Sequence, residues 1–151
     1  MKTLANPEAQ REITTRIAAV TPADQRRWGS MSVHQMICHL NEAYRCALGE
    51  IVTAMARSPM PRAILKFAAL RVPTKWPHGF PSPPEIAQDR GGTPPVEFVQ
   101  DRDALLAALR SFCRGLPDPL PRHPYFGAMS ERDWQRWGYL HADHHLRQFG
   151  R

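Results

Sequence analysis

Proline placement constrains this chain more than any other feature of its sequence. Nine of the 15 prolines lie between Pro59 and Pro95, and four more between Pro117 and Pro124. A proline ring removes a backbone donor and clashes with the preceding helical turn, so these two stretches connect elements rather than build them. Four stretches free of internal proline remain, and each reads as a helix. The first runs from about Pro7 to Val20, with Asn6 as N-cap, Pro7 at the first helical position and Ile13, Ile17 and Val20 at helical spacing. The second opens at Ser32 and runs to about Ala56, with Val33, Met36, Ile37, Leu40, Tyr44, Leu48, Ile51 and Met55 as one apolar stripe. The third begins at Asp101 as N-cap and ends at Gly115 as a left-handed C-cap, with Leu105, Leu106, Leu109 and Phe112 facing the core. The fourth spans Ser130 to Phe149, where Ser130 and Asp133 have capping-box spacing and Gly150 follows the last turn.

Residues 57–100 form a crossover between the second and third helices. Its PRAILKFAALRV part predicts one further short amphipathic helix, and WPHGFPSPPEIAQDRGGTPP an ordered but irregular loop. No alternating strand pattern and no internal repeat is present. The expectation is an all-α chain, a four-helix bundle formed by residues 1–151 as one domain, with a long Pro-rich crossover carrying the extra helix. A chain of 151 residues buries roughly 68–70% of its unfolded surface, enough for a core without staples.

Composition removes several functional classes. Cys38, Cys46 and Cys113 cannot all pair and none lies in a C-x-x-C unit, which excludes a disulfide scaffold and a cysteine zinc knuckle. No stretch approaches the ~18 apolar residues of a membrane span, and MKTLANPEAQ does not read as a signal peptide, so the expected setting is cytoplasmic and reducing. The net charge of +6 raises the question of nucleic acid. The 17 arginines are dispersed from Arg11 to Arg151, however, and acidic residues such as Glu42, Glu50, Asp101, Asp103, Asp133 and Asp143 interrupt every basic face. Surface ion pairs are the expectation, and nucleic acid is not an expected partner. No G-x-S-x-G elbow, phosphate loop or dinucleotide glycine fingerprint is present, and Gly91-Gly92 is an isolated turn signal.

Histidine carries what remains. Three of the seven fall within His141-Ala142-Asp143-His144-His145. Residues four apart on a helix emerge from one face, so His141 and His145 can reach a single metal ion; His141 with His144 is the other geometric choice. A protonated surface pair at the negative end of the helix is the plainer alternative. His39 lies on the flank of the second helix's stripe, where a core-facing imidazole needs a partner and a metal would provide one. His34, five residues earlier, faces elsewhere. No Glu-x-x-His unit precedes His39, His141 or His145, which argues against a di-iron carboxylate site.

The strings WGSMSVHQMICHL, HPYFGAMSERDW and YLHADHHLRQFG, in this order, resemble the DinB/YfiT-like superfamily of metalloenzymes, and in particular a branch with a C-terminal H-x-D-H-H-L-R-Q-F signature. The resemblance runs from Trp28 to Phe149, and the crossover is its loosest part. It implies a four-helix bundle binding one divalent metal through three histidines, matched here by His39, His141 and His145. Superfamily members include thiol-dependent transferases and a maleylpyruvate isomerase, so a low-molecular-weight thiol is an implied co-reactant. His144, Gln148, His123 and Phe126 are candidates for the pocket or for orienting a ligand ring, Gln148 because it lies seven residues after His141.

Imidazole suits zinc, nickel and iron alike. Three protein ligands leave coordination positions open, as catalytic sites do. The expected function is a metal-dependent enzyme that activates a thiol or water for transfer to, or hydrolysis of, a small electrophilic substrate. The alternative is a non-catalytic metal- or ligand-binding bundle related to stress. The pocket is expected to be closed by the crossover around Phe67, Trp76 and Phe80 together with the HPYFG loop. Cys38, on an apolar side of its helix, is not expected to be the nucleophile. Exposed apolar faces on small bundles often dimerise, so a homodimer is a candidate assembly.

Overall fold

The computed structural model describes residues 1–151 as an all-helical chain with no β-strand. Five α-helices follow in order: α1 (Pro7–Ala18), α2 (Val33–Ala47), α3 (Arg62–Arg71), α4 (Phe98–Arg114) and α5 (Glu131–Gln148), with a short 3-10 turn at Pro84–Ile86. No helix is long and apolar enough to cross a membrane. Side chains set most of the helix starts. Asn6 accepts the Glu8 N–H at 2.8 Å, while Ser32/Gln35 and Ser130/Asp133 form reciprocal capping boxes on α2 and α5.

α2 packs along α4, α1 lies against α4 and α5, and α2 also meets α5. Their shared interior is built from Ile13 and Ile17 of α1, Met36, Ile37, Leu40 and Tyr44 of α2, Leu105, Leu109 and Phe112 of α4, and Trp134 and Leu146 of α5, all fully or almost fully buried. Gly138 lets α4 approach α5, because a Cβ there would stand 2.9 Å from the Phe112 ring. Its carbonyl also accepts the Tyr44 hydroxyl at 3.0 Å. α3 packs on α5, and Arg71 of α3 pairs with Asp133, the residue that also caps α5.

Three element ends differ from the sequence expectation. α2 stops at Ala47, not Ala56, because Gly49 takes φ 77° while its N–H and that of Glu50 turn back to the carbonyls of Cys46 and Arg45. This is a Schellman closure, and it withdraws Ile51 and Met55 from the helix. α4 starts a turn earlier than predicted, with Glu97 accepting the Gln100 N–H, so Asp101 lies inside the first turn. Gly115 ends α4 with φ 158° and ψ 154°, an extended conformation and not the left-handed cap.

The arginines do form ion pairs: Arg16 and Arg147 with Asp143, Arg151 with Asp24 and Arg45 with Glu50. Glu42 departs from the expected surface role. It is 2% exposed and accepts the Thr93 N–H at 2.6 Å and the Gln88 side-chain amide at 2.9 Å, clamping the crossover to α2.

Candidate metal centre

α2 and α5 bring His39, His141 and His145 together, with one ring nitrogen of each within 4.8 Å of the others. The ring centroids form a near-equilateral triangle of 5.2, 4.9 and 4.8 Å. The i,i+4 spacing on α5 supplies one edge, and the α2–α5 packing supplies the apex.

Hydrogen bonds decide which nitrogens face inward. The Ile86 carbonyl lies 3.1 Å from His39 Nδ1, and a carbonyl only accepts, so Nδ1 carries the proton and Nε2 a lone pair. That Nε2 lies 3.3 Å from His141 Nε2. His145 Nδ1 donates in the same way to Gln148 Oε1 at 3.0 Å, leaving its own Nε2 as a lone pair. Gln148 is held in that orientation because its amide N–H donates to the Trp28 carbonyl at 2.8 Å. Gly29 leaves room for this contact: it has φ 77°, and a Cβ there would stand 2.6 Å from Gln148 Nε2.

Burial lowers the pKa of His39, and it drives those of His141 and His145 well below the usual imidazole range, where the neighbouring histidines add to it. All three are therefore neutral near pH 7, the form that binds metal. Three neutral imidazoles, two with the tautomer fixed by an outer partner, suit a divalent ion of the zinc, nickel or iron type. The plainer alternative of a protonated surface pair fails on this burial.

The group lines a cavity of about 760 Å³ whose wall is largely apolar. Of the residues expected at the pocket, His144, Gln148, His123, Phe126, Trp76 and Phe80 line it. Phe67 does not: it is 63% exposed on the outer face of α3. Trp137 stacks on His141 at 4.8 Å, and Trp76 lies 6.1 Å from both His141 and His144. The pKa of His144 falls to about 4, through burial first and Arg147 second.

A second cluster, His34, Cys38 and Asp101, joins α2 to α4. His34 Nε2 meets Asp101 Oδ2 at 2.7 Å, and the same oxygen accepts the Val96 N–H. His34 thus faces away from His39 as expected, whereas Cys38 has Asp101 beside it and not a purely apolar neighbourhood. Burial, reinforced by Asp101 and Glu42, pushes the Cys38 thiol up to about 12. Such a thiol stays protonated and is no nucleophile.

Among the contributors that sequence reasoning missed are the Ile86 carbonyl, the Trp28–Gly29 contact with Gln148, and Trp137. Trp137 left a usable signal, since it lies four residues before His141 on α5 and so shares its side of the helix.

The model of one protein family spans almost the whole chain, residues 6–151. The chain belongs to the family described as "Protein of unknown function (DUF1569)". In this chain the three histidines stand on the two helices that meet at the cavity. No curated protein matches the chain, and no solved structure does.

Proposed function

We propose that this DUF1569 member is a metal-dependent enzyme of the DinB/YfiT-like type, with α1, α2, α4 and α5 as its four-helix bundle and α3 as the added helix of the crossover. The observation that carries the reading is the pairing of outer partners with inward lone pairs. The Ile86 carbonyl and the Gln148 amide oxygen each hold the proton of one ring on the far nitrogen. His39, His141 and His145 would hold the ion. A divalent cation bound by neutral ligands keeps its full charge and so acidifies a neighbouring thiol or water.

The rest of the chemistry belongs to the protein. The apolar walls from Trp76, Trp137, Phe126 and Ile86 favour a small, largely apolar electrophile. Within that cavity the deprotonated sulfur or oxygen would form a bond to an electrophilic carbon of the substrate while the bond from that carbon to a leaving group breaks. The leaving group departs with the electron pair and takes up the proton the nucleophile lost. Cys38 takes no part.

The test is a panel of low-molecular-weight thiols with electrophilic acceptors, and of small esters, assayed with zinc-, nickel- and iron-loaded protein purified without a histidine tag. Turnover should vanish on chelation and in His145→Ala, and persist in Cys38→Ala. One ion bound per chain with no metal-dependent turnover across the panel would leave a binding protein instead.

A further inference from the structure

The HPYFG turn closes around the imidazole of its own first residue. The His123 N–H donates to the Gly127 carbonyl at 2.9 Å, and the Gly127 N–H donates back at 2.8 Å. Inside that ring, His123 Nδ1 accepts the backbone N–H groups of Tyr125 and Phe126, both at 3.2 Å. Pro124 has no N–H to offer, and Gly127 takes φ 69°, the left-handed value that the tight closure requires. A nitrogen that accepts two hydrogen bonds carries no proton, so the neutral ring bears its proton on Nε2.

That Nε2–H has no acceptor in the protein, although His123 is only 7% exposed. Phe126 stacks on one face of the ring at 4.2 Å, and Trp134 and Trp137 stand 5.5 and 5.4 Å away. The ring lines the same cavity as the three-histidine group, separated from it by one indole, since Trp137 also lies 4.8 Å from His141. This donor stands at the wall of a cavity large enough for a ligand, where an acceptor oxygen could pair with it. Burial also lowers the pKa of this ring to about 3, which keeps it neutral at any ordinary pH.

We propose that His123 Nε2–H is a fixed hydrogen-bond donor for an acceptor oxygen of the substrate, selecting small apolar molecules that carry a carbonyl group about one aromatic ring away from the three histidines. The inference rests on the reading of the cavity as a substrate site, but not on a metal being bound. A molecule of the same shape without the oxygen leaves this donor unpaired, so the site discriminates against it.

Acetophenone and ethylbenzene test this, because they share an apolar body and differ in the carbonyl. In full-length protein labelled with ¹⁵N-histidine, with His123 assigned by comparison with His123→Asn, the ring should show the Nε2–H tautomer. Acetophenone should move that N–H proton downfield, and ethylbenzene should not. In His123→Asn the side-chain oxygen can still accept the turn's N–H groups, and the affinity for acetophenone relative to ethylbenzene should fall about fivefold. A proton on Nδ1, acetophenone bound without moving the Nε2–H signal, or a cavity that takes up neither compound would each overturn the proposal. Zinc content, measured in parallel, should be the same in His123→Asn as in the wild type. A wild type that binds no metal, yet shows the acetophenone shift, would refute the enzymatic reading and leave the donor standing.

Discussion

Gln148 holds His145 in register through an Nδ1–H···Oε1 hydrogen bond of 3.0 Å, and is itself anchored 2.8 Å from the Trp28 carbonyl. Two loop-proximal segments, the start of the Trp28–Ser32 connection and the last turn of α5, are thereby coupled to one imidazole lone pair. The consequence for metal binding is direct, because an outer partner fixes both the tautomer and the orientation of a ligand ring.

Gln148→Leu should weaken zinc affinity by about 10–100-fold while the protein stays folded, as loss of such partners typically does. Gly29→Ala should act in the same direction, since its new Cβ would stand 2.6 Å from the Gln148 amide nitrogen and its φ of 77° is strained for alanine. Competition titrations against a chromophoric chelator measure both. Wild-type affinity in Gln148→Leu would show that the amide does not orient the ring.

Glu42 holds the crossover over the site from beneath. In Glu42→Ala the Thr93 N–H and the Gln88 amide lose their acceptor, and stability should fall by about 1–3 kcal/mol in urea unfolding. Amide exchange at Thr93 should accelerate more than that in α1, which has no contact with the clamp. Equal protection of Thr93 in the two proteins would contradict the clamp.

What could be read in the sequence follows from how local each signal is. Asn6 and the Ser130/Asp133 pair mark helix starts because the bonds that define them lie within three residues. The end of α2 was hidden because Leu48, Ile51 and Met55 continue the apolar stripe past it, and only the backbone of Gly49 closes the helix. The start of α4 was misplaced because Glu97 and Asp101 are both acidic and four apart, while its buried face begins only at Leu105. At the site, His141 and His145 are legible from their spacing alone. Nothing local says that Ile86, 47 residues beyond His39, supplies the carbonyl that fixes its tautomer. Glu42 was misread because a charged residue is ordinarily solvated, and its burial depends on two partners from the crossover.

Cys38 offers a check on the site's chemistry. Its thiol, pushed up to about 12 by burial with Asp101 and Glu42 adding to it, is almost wholly protonated at neutral pH. Folded protein at pH 7.5 should react with iodoacetamide at Cys38 far more slowly than the urea-unfolded chain does. Cys38→Ala should retain full zinc binding. Rapid alkylation of the folded protein with loss of turnover would assign the nucleophile's role to this residue and overturn the reading of a nucleophile from outside the chain.

His123 gives the fold a pH dependence whose sign is fixed. Its pKa is about 3 in the folded chain and about 6.5 when unfolded, so between these values the unfolded state binds the extra proton. Stability therefore rises with pH across this window; it is fully present above about pH 6.5 and is lost as pH falls toward 3. His39, His141, His145 and His144 are lowered as well and act in the same direction. For metal-free protein, unfolding free energies at pH 7, 6 and 5 should decline progressively. In His123→Asn the decline below pH 6 should be shallower by up to about 1.4 kcal/mol per pH unit, the weight of one proton. Identical slopes in the two proteins would mean that the ring takes up its proton without unfolding the chain, and that the HPYFG turn survives without an accepting Nδ1.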